Sequence, residues 1–257
     1  MLRRFLLFLV SILFALPLAA SAPLLQDPGL YDYLGDLDGK TGIGLTLHRR
    51  AGDKVTGYYF YKRYLKDIPL SGEFTGERDL ELREMDASGK LAGTFTLHFA
   101  ESDPKHRIGD GKTLLTVDVL TGTWTSADQS KSYPVYLGLT TIVGAEEGKR
   151  YAVAGSTDDA SVEKSVQAFC AAVLKGDRNT VAGLVHYPAA FSVKGRRTKA
   201  RNDQEFLADY DEIFTPRFLE KIRDAVPHNM FANSEGIMIA DGAVWFDEKG
   251  RVKALNN

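Results

Sequence analysis

Five histidines, a single cysteine and a crowd of carboxylates near residue 210 are the side chains of this chain that could do acid–base, nucleophilic or metal chemistry. His186 precedes a predicted strand. Asp209, Asp211 and Glu212 share a predicted helical stretch, and Asp209 follows its apolar stripe most closely. A histidine within hydrogen-bonding reach of a carboxylate can pass protons at neutral pH. If the protein is an enzyme, His186 and Asp209 are the pair expected to act. Neighbouring carboxylates can also split their pKa values, but offsets of two and three residues do not put all three on one helix face. His228-Asn229 falls in a loop after the last predicted helix and reads as surface. His48, His98 and His106 are scattered and lack the spacing of a zinc site. Cys170 lies on an apolar helical stripe with Val166, Phe169 and Val173, so it reads as a buried small hydrophobe. With one cysteine, an intramolecular disulfide is impossible. There is no phosphate loop, G-x-S-x-G elbow, C-x-x-C pair or dinucleotide fingerprint, so no cofactor and no metal is expected.

A second kind of chemistry is electrostatic. Lys194, Arg196, Arg197, Lys199 and Arg201 form a basic hairpin. Strand alternation puts Arg197, Lys199 and Arg201 on one face, where they could meet an anion or an acidic partner. A charged edge strand that discourages aggregation explains them equally well. The chain as a whole has 32 basic and 34 acidic residues, which gives no drive toward nucleic acid.

The elements that must position these residues begin after an export signal. Arg3 and Arg4 precede an uncharged apolar run, Phe5 to Leu18, and small residues Ala19 to Ala22. That is the order of a secretory signal, and the run is shorter than the roughly 20 residues of a spanning helix. Residues 1–22 are therefore expected to be removed near Ala20–Ala22, placing the protein in the periplasm or outside the cell. About 235 residues remain, enough for one large domain or two small ones. No further membrane span is expected.

Residues 30–143 are short alternating runs broken by glycine turns. Leu70-x-Gly72-x-Phe74, Leu91-x-Gly93-x-Phe95 and Leu120-x-Gly122-x-Trp124 repeat one form, and Val55-x-Gly57-x-Tyr59 varies it. Apolar residue, glycine and aromatic then share a strand face, and glycine admits close approach of another backbone. About eight strands are expected, near 43–48, 55–62, 68–74, 79–85, 91–99, 113–119, 121–125 and 133–139, as an antiparallel meander closed or nearly closed into a barrel. Residues 144–157 read as a linker, with a short strand at Tyr151–Val153. These glycine–aromatic strands resemble avidin-like and lipocalin-like barrels. The resemblance implies a ligand in the barrel mouth, whereas filling by the barrel's own aromatics is the plainer expectation.

Residues 158–257 begin with helices and end in strands. Asp159 or Ser161 caps a helix to about Leu174, with Glu163 and Lys164 facing outward and Gly176-Asp177 ending it. Thr180–Val185 is a short helix. Strands at Phe191–Val193 and Arg196–Ala200 follow. Asn202 or Asp203 caps one helix with Phe206, Tyr210, Ile213 and Phe214 on one face, and Thr215-Pro216 starts another. The tail is a hairpin with a two-residue Asp241-Gly242 turn and a last strand, Arg251–Leu255.

This order, with Val166-Gln-Ala-Phe-Cys-Ala-Ala-Val-Leu-Lys-Gly-Asp177, Val181-Ala-Gly-Leu184 and the Trp245 hairpin, resembles the nuclear transport factor 2-like cone, also called SnoaL-like or ketosteroid-isomerase-like. The resemblance implies an α+β domain whose curved antiparallel sheet wraps a long helix around a pocket. Phe169, Tyr187, Phe206, Tyr210, Met238 and Trp245 would line that pocket, and the sheet would offer a surface for a homodimer. The isomerase's own chemistry is missing. Its tyrosine donor falls at Phe169 and its carboxylate base near Ser192–Lys194, where no carboxylate stands. The expectation is a non-enzymatic binding or interaction protein of the cell envelope, taking a small apolar ligand or a protein partner, with inhibitor or immunity-type action as a subclass. The alternative is a cone-fold isomerase, dehydratase or hydrolase.

Overall fold

The computed structural model describes residues 24–101, 103, 118–193 and 195–256. The expected signal at 1–22, His106, residues 113–117 of the strand expected at 113–119, and Lys194 lie outside the described residues. No helix among the described residues is long and apolar enough to cross a membrane.

The fold is α+β. Eight antiparallel strands close into a barrel: β1 Leu30–Leu37, β2 Thr41–Arg49, β3 Lys54–Tyr61, β4 Ile68–Phe74, β5 Asp79–Met85, β6 Leu91–Glu101, β7 Asp118–Ser126 and β8 Ser132–Val143. Each pairs with its sequence neighbour, and β1 pairs with β8 to close the ring. The repeated glycines sit where strands crowd. A Cβ on Gly57, Gly72 or Gly122 would lie 2.1, 1.8 or 2.0 Å from a carbonyl oxygen of the next strand. Leu70, Leu120, Tyr59 and Phe95 of the repeat do face the barrel core, with Leu82 and Leu97 beside them, whereas Leu91 is exposed.

Three expectations fail here. The first strand, β1, has no counterpart in the predicted set, because Asp32 and Asp36 disguise its alternation. The predicted break between 113–119 and 121–125 is also absent, since β7 runs unbroken from Asp118 to Ser126. Arg150 and Tyr151 are buried, and Ala152–Ala154 form a 3₁₀ turn where a strand was expected.

The second unit packs five helices on one face of a six-stranded sheet. The helices are α1 Asp159–Lys175, α2 Arg178–Gly183, α3 Asp203–Ala208, α4 Tyr210–Ile213 and α5 Pro216–Asp224. The strands are β9 Val185–Val193, β10 Arg196–Ala200, β11 Phe231–Asn233, β12 Gly236–Ile239, β13 Val244–Phe246 and β14 Val252–Leu255. The caps are local chemistry. Asp158 accepts from the Ser161 amide, Gly176 takes φ +74° at the C-cap of α1, and Thr215 caps α5 with Pro216 behind it. The sheet order is β10-β9-β14-β13-β12-β11. It is mixed and not wholly antiparallel, because β14 runs parallel to β9. β9 also starts at Val185, so Tyr187-Pro188 lies inside a strand. The helix expected around Tyr210 is two short helices. Ala240, Asp241 and Gly242 all take left-handed φ, so a longer loop replaces the two-residue turn.

Candidate functional site at the domain seam

Strand β1 is buried along nearly its whole length, and β2 over most of its length, with no alternation of exposed positions. The odd residues Tyr31, Tyr33, Ile43, Leu45 and Leu47 point into the barrel. The even residues Asp32, Thr46, Tyr58 and Phe60 point outward, yet Asp32, Thr46 and Phe60 are buried too. They are covered by the second domain. Gly44 leaves room for this, since a Cβ there would meet the Phe60 ring at 2.3 Å.

Arg150 holds the centre of the seam. Its Nη1 donates to Asp32 Oδ2 at 2.6 Å and its Nη2 to Asp32 Oδ1 at 2.8 Å. Thr46 Oγ1 donates to Asp32 Oδ1 at 2.7 Å. The paired side chains are 3% and 7% exposed. Burial alone would drive the guanidinium toward neutrality, but the Asp32 carboxylate more than reverses this, and the guanidinium stays charged. Asp159 in the first turn of α1 receives the main-chain amides of Arg150 and Tyr151 at 2.7 and 3.2 Å, which fixes the segment.

Beside this pair, His228 is clamped between the domains. Nε2 faces Asp67 Oδ1 of the β3–β4 loop at 2.8 Å, and Nδ1 bonds the Glu163 carboxylate of α1. With a carboxylate on each nitrogen, both must carry protons. Burial lowers the imidazolium's pKa, and the two carboxylates outweigh it, raising it to about 9. Burial raises the Glu163 carboxyl, and the His228 contacts outweigh this and bring it below its ordinary range. Tyr151 Oη and the Asn229 amide also donate to Glu163 Oε1, at 2.8 and 2.9 Å. Phe60 meets the imidazole edge-on, with centroids 4.5 Å apart. Glu163, expected to face outward, is therefore an inward seam residue.

Next to these groups the two domains leave a cavity of about 420 Å³, walled by Leu34 and Phe60 of the barrel and by His228, Asn229, Met230 and Met238 of the second domain. Its volume is in the range of small-molecule sites, which favour domain interfaces.

The residues expected to line a cone pocket divide. Phe169 and Phe206 are fully buried in a ring cluster with Tyr210, Phe214 and Phe246, at centroid separations of 5.5–6.4 Å. Tyr187 packs on Phe206 and donates to the Ala182 carbonyl at 3.1 Å. These side chains occupy the space between helices and sheet. Met238 and Trp245 pair across β12 and β13, on the face opposite Val244 and Phe246, and Met238 belongs to the seam cavity. His186 does not meet Asp209. Its Nδ1 lies 2.7 Å from Asp247 Oδ2, a carboxylate also bound by Arg251. That distance requires a proton on Nδ1, so the Arg251 Nη2 contact at 3.4 Å is proximity only. Asp209 closes α3. Arg197 and Lys199 are exposed on β10, and Arg201 faces Glu205 at 3.6 Å. Cys170 is buried, and burial pushes its thiol up to about 12, which leaves it unreactive. No group of three side chains that could hold a metal occurs among the described residues.

Sequence reasoning missed Asp32, Asp67, Arg150 and Glu163 as site residues and read His228 as a surface loop. Only one local signal pointed to them, the arginine–tyrosine pair inside a polar segment. Comparison with protein-family models, with curated proteins and with solved structures gives no match for this chain.

Proposed function

We propose that the protein is an exported, non-enzymatic binding protein of the cell envelope whose site is the cavity between its two domains. The carrying observation is where open space lies. The barrel and the helix–sheet layer are filled by their own aromatics, while the seam keeps a cavity of about 420 Å³. The occupant is a small apolar ligand or an apolar segment of a partner, and blocking a secreted enzyme is one form such binding takes. The sheet order and the long α1 beneath it support reading the second domain as a nuclear transport factor 2-like cone, and the meander closure supports the lipocalin-like reading of the first.

A photo-reactive benzoylphenylalanine at Asp241, on the cavity rim, tests the site in cells. Irradiation is expected to trap a discrete adduct that the same probe at Ser88, in the exposed β5–β6 turn, does not trap. Equal labelling from both positions, or none from Asp241, contradicts the proposal.

One observation favours the enzymatic alternative, with Asp247 in place of Asp209. Nδ1 of His186 is held by a buried carboxylate, which leaves Nε2 as a proton acceptor beside a second cavity of about 330 Å³. That reading expects turnover of a small carbonyl substrate that His186→Ala abolishes. The binding reading expects no turnover by either protein.

A further inference from the structure

We infer that the barrel rim formed by the β3–β4, β5–β6 and β7–β8 turns carries a second binding site, for a small organic ammonium ion held by Glu84. Glu84 lies on the inner face of β5, in phase with Leu80 and Leu82 of the barrel core. A carboxylate turned toward an apolar core needs partners. It has two, and both reach the same oxygen. Tyr59 Oη donates to Oε2 at 3.0 Å, and Trp124 Nε1 donates to it at 2.9 Å. The next strand makes room for this. Glu84 pairs with Gly93 across β5 and β6, and a Cβ on Gly93 would stand 2.6 Å from the Trp124 indole. The glycine therefore lets the ring reach the carboxylate. The other oxygen, Oε1, has no partner, and no Lys, Arg or His pairs with Glu84. Glu84 is half-buried, and among the described residues the partnerless polar atoms sealed from solvent are His48 Nδ1, Tyr210 Oη and Asn229 Nδ2. Oε1 is therefore open at the rim.

The surroundings select the ligand. A carboxylate oxygen only accepts, and its strongest partner is a cationic donor. The barrel beneath is filled, with Phe95 edge-on to Tyr59 at 5.2 Å, so the ligand stays at the rim. That rim is aromatic and apolar. Tyr61 is half-buried beside Tyr59 at 5.6 Å, and the Tyr64 ring meets it at 6.3 Å. Tyr64 and Leu91 are 67% and 37% exposed. Aromatic faces attract cations, and Arg63 already lies over Tyr64, 5.7 Å from its centroid. A hard metal ion is poorly matched, because it takes six or more oxygens and a single carboxylate stands here. An ammonium group on a hydrocarbon body satisfies both the open oxygen and the apolar rim.

Benzylammonium is a fitting probe, with neutral benzyl alcohol and anionic benzoate as comparators. The readout is the indole N–H resonance of Trp124, one of two tryptophans in the protein, assigned by its loss in Trp124→Phe. Benzylammonium is expected to shift that resonance saturably and to leave that of Trp245 in place. Glu84→Gln keeps an oxygen for the Tyr59 and Trp124 donors and removes the charge. It is expected to weaken benzylammonium about tenfold, the low end for a hydrogen bond to a charged group, as suits a site open to water. Tyr61→Leu leaves both bonds to Glu84 in place and is expected to weaken it about threefold. This second variant carries the test if Glu84→Gln does not fold. The inference is overturned if benzyl alcohol or benzoate shifts Trp124 at the same concentrations, if the folded variants bind benzylammonium as the parent does, or if nothing shifts Trp124. The site shares no lining residue with the seam cavity, so these outcomes leave the seam reading as it stands.

Discussion

Arg150→Ala is expected to lower the unfolding free energy by about 3–5 kcal/mol, the range seen when one partner of a buried ion pair is removed. The size follows from what is left behind. Asp32 would remain a buried carboxylate on the outer face of β1, with Thr46 as its remaining side-chain donor. Tyr58 and the Asn229 carbonyl would lose their cationic neighbour in the same step. The pair itself is a poor source of net stability, because both ions must first leave water. Replacing both partners by apolar residues of similar size, Asp32→Leu with Arg150→Met, is therefore expected to recover most of the loss. The protein's two tryptophans make the measurement selective. Trp124 stands in the barrel and Trp245 in the second sheet. Urea unfolding followed by fluorescence reports both domains. A loss under about 1 kcal/mol in Arg150→Ala would show that the seam is not held by this pair.

Stability is expected to fall as pH rises from about 6.5 to 9.5, by about 3 kcal/mol in all, through His228. Its pKa is raised to about 9 in the folded protein from an ordinary 6.5. A raised pKa means that the folded state holds the proton longer than the unfolded chain. The stabilisation is complete below the unfolded value and disappears as pH climbs through the folded one. The size follows from moving the proton affinity of a side chain only 7% exposed from 6.5 to about 9. The buried tyrosines Tyr58, Tyr59 and Tyr151 also hold their protons longer when folded, but they titrate above this window, and the buried Cys170 thiol, raised from 9.0 to about 12, adds a loss only at its upper end, above pH 9. Urea midpoints at half-unit steps from pH 6 to 9.5 measure the slope. His228→Asn is expected to flatten it, and a parent slope that persists in the variant would assign the effect elsewhere.

How much of this was legible beforehand depends on where each residue's partner lies in the chain. The start of α5 could be read directly, because Thr215–Phe218 is a contact three residues long, and that of α1 to within a residue or two, with Asp158 taking the cap expected at Asp159 or Ser161. The Leu-x-Gly-x-aromatic strands could be read as a barrel because period-2 burial and strand crowding act locally. Strand β1 could not. Asp32 and Asp36 lower its local strand propensity, and Asp32 becomes compatible with a buried strand only once Arg150 and the other domain cover it. Asp32 finds its guanidinium 118 residues away. His228 was missed for the same reason, with partners 65 and 161 residues distant. His186 was found, but its carboxylate was assigned to Asp209 because nothing local announces that the β13–β14 turn brings Asp247 beside it. The seam is thus a product of tertiary structure, written in residues that each look ordinary in their own segment.

The central claim is that binding happens between the domains. Amide chemical-shift mapping of the protein during a titration with prodan, a neutral, largely apolar naphthalene ketone, tests it most directly. The expected shifts cluster at Leu34, Thr46 and Phe60 of the barrel together with Asn229, Met230 and Met238 of the second domain, on both walls of one cavity. Shifts confined to the aromatic layer around Phe169 and Phe206, or centred on His186 and Asp247, would place binding elsewhere and contradict the account.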